Sequence, residues 1–179
     1  MHEDLVRLAA LVRARNSLEV EITTLTSRPA ALGHIGEYIA SRIFNIALED
    51  SASHKALDGR FTDGPIKGHS VNIKWYARRE GVLDITPNSL PDYYLVLAGP
   101  RSAATTSRGR TRPWVIESVF LFGSGPLTRH LQERGVKLGV ASSVAHSLWD
   151  QAEVFPSQTS TDFILSPQQR DHLALFQPE

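Results

Sequence analysis

Residues 58–76 read DGRFTDGPIKGHSVNIKWY. The second half alternates: Val71, Ile73 and Trp75 fall on one side, Asn72, Lys74 and Tyr76 on the other, which is the period of a strand. Gly64, Pro65 and Gly68 mark the middle of the stretch as a turn. KALDGRF (55–61) and SVNIKWYA (70–77) therefore read as paired strands joined by TDGPIKGH. Lys74 is the residue that needs a reason. A strand built from strong β-formers holds its side chains rigidly, so this ammonium is presented in a fixed place and not on a flexible loop. Its plainest setting is the solvent face of an edge strand.

Outward from the hairpin, residues 4–15 predict a helix, with Leu5, Leu8 and Val12 at helical spacing. TSRPAAL supplies a start signal in which Ser27 caps and Pro29 enters the first turn. GHIGEYIASRIFNIAL (33–48) predicts one helix. DYYLVLAG (92–99) is nearly continuous in apolar residues and reads as a central strand; WVIESVFLF (114–122) reads as the next. GSGPLTRHLQERG (123–135) predicts a helix that stops at Gly135, and its opening Gly-Ser-Gly reads as a plain turn. SSVAHSLWDQA (142–152) predicts a short helix. SPQQRDHLALF (166–176) opens with a capping box from Ser166 to Gln169. The order implies an α/β fold, a mixed central sheet flanked by helices. We read one domain over 1–179: an N-terminal helical segment (1–25), a core (26–125) and C-terminal helices (126–179).

The 179 residues hold 19 Lys and Arg against 19 Asp and Glu, and no cysteine. Zero formal charge argues against coating nucleic acid by bulk charge. The lack of cysteine excludes disulfides and thiolate metal sites. No apolar run approaches the roughly 20 residues needed to span a bilayer, and the N-terminus does not read as a signal peptide. A cytoplasmic protein without a membrane partner is the expectation. RSAATTSRGRTRP (101–113) is a local exception to the charge balance, with Arg101, Arg108, Arg110 and Arg112 and no acid. It reads as a loop between two strands, either a solvated surface or an arm that contacts phosphates.

Placed on a helix at about 100° per residue, Ile35, Ile39, Ala40, Ile43, Phe44, Ile46 and Ala47 share one wide arc, and Glu37 falls at its edge beside Phe44 and Leu48. A carboxylate there is partly buried and requires a cation, a metal or a proton. An ordinary salt bridge would suffice for Glu37 alone, and a turn for Asp58-Gly59 alone.

The conjunction is more specific. An acid on a helix, an acid near a strand end, a short link, then a polar residue two positions before a strand lysine resembles the PD-(D/E)XK nuclease superfamily, whose fold is restriction-endonuclease-like. The resembling span runs from GHIGEYIASRIF through LDGRF and VNIKWY to DYYLVLAG. More narrowly it is similar to an uncharacterised bacterial group of that superfamily in which the acid of the strand motif is often an amide. The resemblance implies a Mg²⁺- or Mn²⁺-dependent DNA endonuclease or nuclease subunit in defence or repair, working as a homodimer or within a larger defence complex. Its ligands would be Glu37, Asp58, Asn72 and the backbone carbonyl of Ile73, with Lys74 stabilising negative charge and the four arginines touching DNA. Asn72 stands where Glu or Asp is usual, and Leu57 where proline is usual. An amide offers an oxygen but no charge, so the alternative is a nuclease-like module that binds nucleic acid or protein without cleaving.

Overall fold

The computed structural model describes residues 2–49, 57–101 and 112–178. Two helices lead, α1 (His2–Thr26) and α2 (Leu32–Ile43). Strands β1 (Ile46–Leu48), β2 (Gly59–Phe61), β3 (Ser70–Tyr76), β4 (Val82–Leu83), β5 (Tyr93–Ala98) and β6 (Ser118–Gly123) follow. Then come α3 (Ser124–Glu133), β7 (Ser142–Ser143), α4 (His146–Ala152), β8 (Glu153–Phe155) and α5 (Pro167–Ala174). The main sheet runs β1-β2-β3-β5-β6-β8, and β4 pairs with β7 apart from it. Only β3–β5 is parallel; the other neighbours in the main sheet are antiparallel. This is the α/β fold with a mixed sheet that the sequence implies.

The alternation of β3 sorts two cores onto the two faces of the sheet. Val71, Ile73 and Trp75 enter the first, with Ile39, Ile43 and Phe44 from the α2 end and Leu173 from α5. Tyr76 borders the second, which holds Tyr94, Val96, Phe120, Leu127, Leu131 and Trp149. β5 is buried on both faces, which is why its sequence is unbroken in apolar residues. Asp92 fixes the start of the parallel pair by accepting the backbone N–H and hydroxyl of Ser70, each at 2.7 Å. These donors hold its carboxyl below the ordinary value.

Several expectations change. α1 runs on to Thr26, and Leu5, Leu8 and Val12 are exposed. Ser27 does not cap α2. It has φ +56° and closes α1, its N–H donating to Thr23, and the α2 N-cap is Ala31. The second helix stops at Ile43 because Asn45 takes φ +53°, the left-handed turn that ends helices. The Asn45 carbonyl then accepts both the N–H and the hydroxyl of Thr62 at 2.8 Å. That contact turns Ile46–Leu48 into an edge strand against β2, so these residues leave the helical arc. β6 begins only at Ser118. The α5 capping box is present, and Gln169 also donates its amide to the Ile43 carbonyl at 2.8 Å. Leu173 of the same helix is fully buried, and Phe176 just beyond it accepts the Ile116 N–H.

Candidate active site

The β2–β3 pair is short. Gly59 is in register with Val71, and the Asp58 N–H also donates to the Val71 carbonyl, at 3.0 Å. Two successive residues thus address one, the geometry of a bulge. Asp58-Gly59 is therefore a strand entry and not a free turn. Glycine is required because a Cβ on residue 59 would lie 2.4 Å from the Ala47 carbonyl oxygen. Beyond the bulge, the Asp58 carboxylate takes the place of a neighbouring strand, its Oδ2 accepting the Ile73 N–H at 2.6 Å. The N–H and C=O of one strand residue point the same way, so the Ile73 carbonyl faces this edge too.

Gly36 brings the helix down to it. A Cβ there would lie 3.0 Å from the Cβ of Trp75, so α2 lies close on β3 at the residue before Glu37. The Asp58 carboxyl is pushed above its ordinary value, chiefly by burial, against the lowering effect of the Ile73 N–H. The negative charge of Glu37 raises it further, and the positive charges of Lys74 and Arg28 lower it. Glu37, Lys74 and Arg28 each bear on the Asp58 carboxyl. Asn72 lies on the same strand face as Lys74 and opposite Tyr94. It is only 3 % exposed, and its Oδ1 has no hydrogen-bond partner among the described residues.

No protein-family model matches the chain, and a search of curated proteins finds no match.

Arg28 is the member that the sequence reading missed. Its guanidinium forms an ion pair with the Glu37 carboxylate, both side chains partly buried. It sits in the link between two helices, where no periodicity marks it. Among the described residues no three His, Cys, Asp or Glu side chains gather as a ready metal cluster; Asp58 lies on the Ile73 N–H with Glu37 bearing on it, while Asn72 points to the other face of β3 from Ile73.

Of the four arginines, Arg108 and Arg110 lie outside the described residues. Arg112 is exposed. Arg101 is bridged to Arg79 across the ends of the parallel strands, and its Nη2 lies 3.1 Å from His146 Nε2. A guanidinium can only donate, so in that contact His146 Nε2 accepts. Arg79 lies over the Phe120 ring, 5.1 Å from its centroid. Arg79 thus extends the basic group and His146 borders it, and neither was visible in the sequence because strand ends and a helix start bring them together.

Glu37 cannot serve both Arg28 and a metal ion fully. Arg28→Gln is expected to tighten Mg²⁺ or Mn²⁺ binding roughly two- to five-fold, the size of a partly exposed ion pair worth up to about 1 kcal/mol. Isothermal titration of both proteins measures it. Weaker binding in the variant would mean that Arg28 orients Glu37 for the ion and does not compete for it.

Proposed function

We propose that the chain is a Mg²⁺- or Mn²⁺-dependent nuclease of the PD-(D/E)XK type that hydrolyses phosphodiester bonds in DNA. The observation that supports this most is the bulged entry of β2, which sets the Asp58 carboxylate on the Ile73 N–H while Glu37 and Lys74 bear on the same carboxylate. A hard divalent ion suits the donor set. Burial and a second carboxylate both penalise the Asp58 anion, the Asn72 oxygen lacks a partner, and such ions prefer oxygen ligands. Asp58, Glu37, the Asn72 amide oxygen and the Ile73 carbonyl would hold it. When bound, such an ion lowers the pKa of water and polarises a phosphate.

The remaining chemistry belongs to the chain. Lys74, held by β3 and partly exposed, donates to phosphate oxygens on which negative charge grows as a water oxygen bonds to phosphorus and a bridging P–O bond breaks. Removing one such donor costs about 10²–10³ in rate. Arg101 and Arg79, with His146 beside them, offer charge to a neighbouring stretch of DNA backbone. The test is cleavage of supercoiled, linear and single-stranded DNA with Mg²⁺ or Mn²⁺, by the wild type and by Lys74→Ala. Lys74→Ala is expected to lose about 10²–10³ in rate while binding metal normally. Unchanged cleavage in the variant would remove Lys74 from the mechanism.

A second reading, a nuclease-like module that binds without cleaving, is favoured by two observations: Asn72 at the usual acid position and Arg28 already on Glu37. Wild-type protein that binds both metal and DNA but leaves every substrate intact would establish it.

A further inference from the structure

Helix α1 is 25 residues long, yet residues 3–18 are all exposed. Eight of the large apolar side chains at the surface lie on it, from Leu5 to Leu25. Its end meets the body, where Ile22, Leu25 and Thr26 edge an apolar groove of about 290 Å³ with Tyr38, Trp114 and Phe176. A helix that projects this far without packing is marginal in water.

The spacing of the exposed residues says what packs on it. Positions 8, 11, 15, 18, 22 and 25 follow the alternating three- and four-residue steps of a heptad seam, and they hold Leu, Leu, Arg, Leu, Ile and Leu. Leu8, Leu11, Leu18 and Leu25 are 55, 59, 59 and 72 % exposed. Arg15 is the one charge in the seam, and a charge at such a position selects the pairing. Two parallel copies would set Arg15 against Arg15. An antiparallel pair in which position numbers add to 33 sets Leu8 against Leu25, Leu11 against Ile22 and Arg15 against Leu18. Glu19 of each copy then lies beside Arg15 of the other. Within its own helix Arg15 already contacts Glu19 at 3.1 Å, so the two pairs close into a four-charge group at the dyad. The apolar groove under Leu25 receives the Leu8 end of the second helix.

We infer that α1 is a self-association element and that two copies of the chain pair through it as an antiparallel two-helix coil. The pairing is independent of the proposed nuclease chemistry, since no α1 residue lies at the Asp58 edge.

The absence of cysteine makes the register directly measurable. Leu8→Cys and Leu25→Cys chains are expected to form disulfide dimers when mixed, and neither alone. In the antiparallel pair like positions are about 25 Å apart, 17 residues at about 1.5 Å each. Sedimentation of the wild type is expected to give a dimer at micromolar concentration, and Leu11→Glu with Leu18→Glu a folded monomer, since both side chains are exposed and the body does not need them. A wild type that stays monomeric to about 100 μM, or cysteine variants that each cross-link to themselves, would overturn the pairing. A wild-type monomer that binds lipid vesicles or another protein through α1 would overturn it as well. DNA cleavage is scored separately, so a dimer without nuclease activity leaves this inference standing.

Discussion

Asp58→Asn is expected to raise the melting temperature of the metal-free protein while weakening its binding of divalent cations at least tenfold and abolishing its cleavage of DNA. The two effects have one cause. Burial holds the Asp58 carboxyl above its ordinary value, and the neighbouring Glu37 adds to the shift. A raised acid lets the folded chain keep a proton that the unfolded chain has lost. The stability penalty therefore grows as pH rises from the ordinary value of 3.8 to the folded pKa, and it is complete above that. Above its folded pKa the wild type carries the whole penalty. An asparagine oxygen can still accept the Ile73 N–H, but it brings no charge, so the penalty disappears. For a chain of this size each kcal/mol recovered raises the melting temperature by about 2–4 °C. Without the anion, Glu37 is the remaining carboxylate of the proposed ligand set, and cation affinity should fall at least tenfold. Melting curves and titration calorimetry across pH measure both effects. A variant less stable than the wild type at pH 7 would mean that Asp58 is there for the fold and not for an ion.

Gly59→Ala is expected to cost about 1–3 kcal/mol, the usual price of forcing atoms into a filled space. Its Cβ would lie 2.4 Å from the Ala47 oxygen and 2.7 Å from Ile46 Cγ2, so β1 and β2 must part. Because the same backbone carries Asp58, the variant should also weaken cation binding. Gly99→Ala is the control: its Cβ would lie 2.3 Å from the Ala77 oxygen, at the far end of β3. It should destabilise comparably and leave the cation site intact. If the two variants lose cation binding equally, the loss reflects general unfolding and not the bulge.

The strand alternation of SVNIKWY was readable because it is a local, two-residue period. It set Ile73 in the core with α2 and Tyr76 against the other, as the two cores show. Glu37 was readable as a partly buried acid, but its partner was not, because Arg28 lies nine positions earlier in an irregular link. NIAL kept the helical apolar spacing and so hid β1; what ends α2 is a left-handed Asn45 fixed by Thr62, a contact 17 residues away. The two-residue strands β4 and β7 are too short to carry a period, and they exist through each other. The seam of α1 was legible as helix only over residues 4–15, because a three-and-four spacing interrupted by Arg15 looks weak until the helix is seen to stand free of the body.

The bond from Gln169 to the Ile43 carbonyl has a consequence for the order of synthesis. The helix that carries Glu37 emerges from the ribosome ahead of the rest of the site, and Asp58 and Lys74 follow it within about forty residues of chain. The group that seals the end of that helix arrives more than a hundred residues later, together with Leu173, which fills the first core, and Phe176, which accepts the Ile116 N–H. A nascent chain that has not reached Gln169 thus holds all the acids of the candidate site but not the packing that fixes their helix. Domains generally form as units during translation, and here the first core closes only when α5 docks.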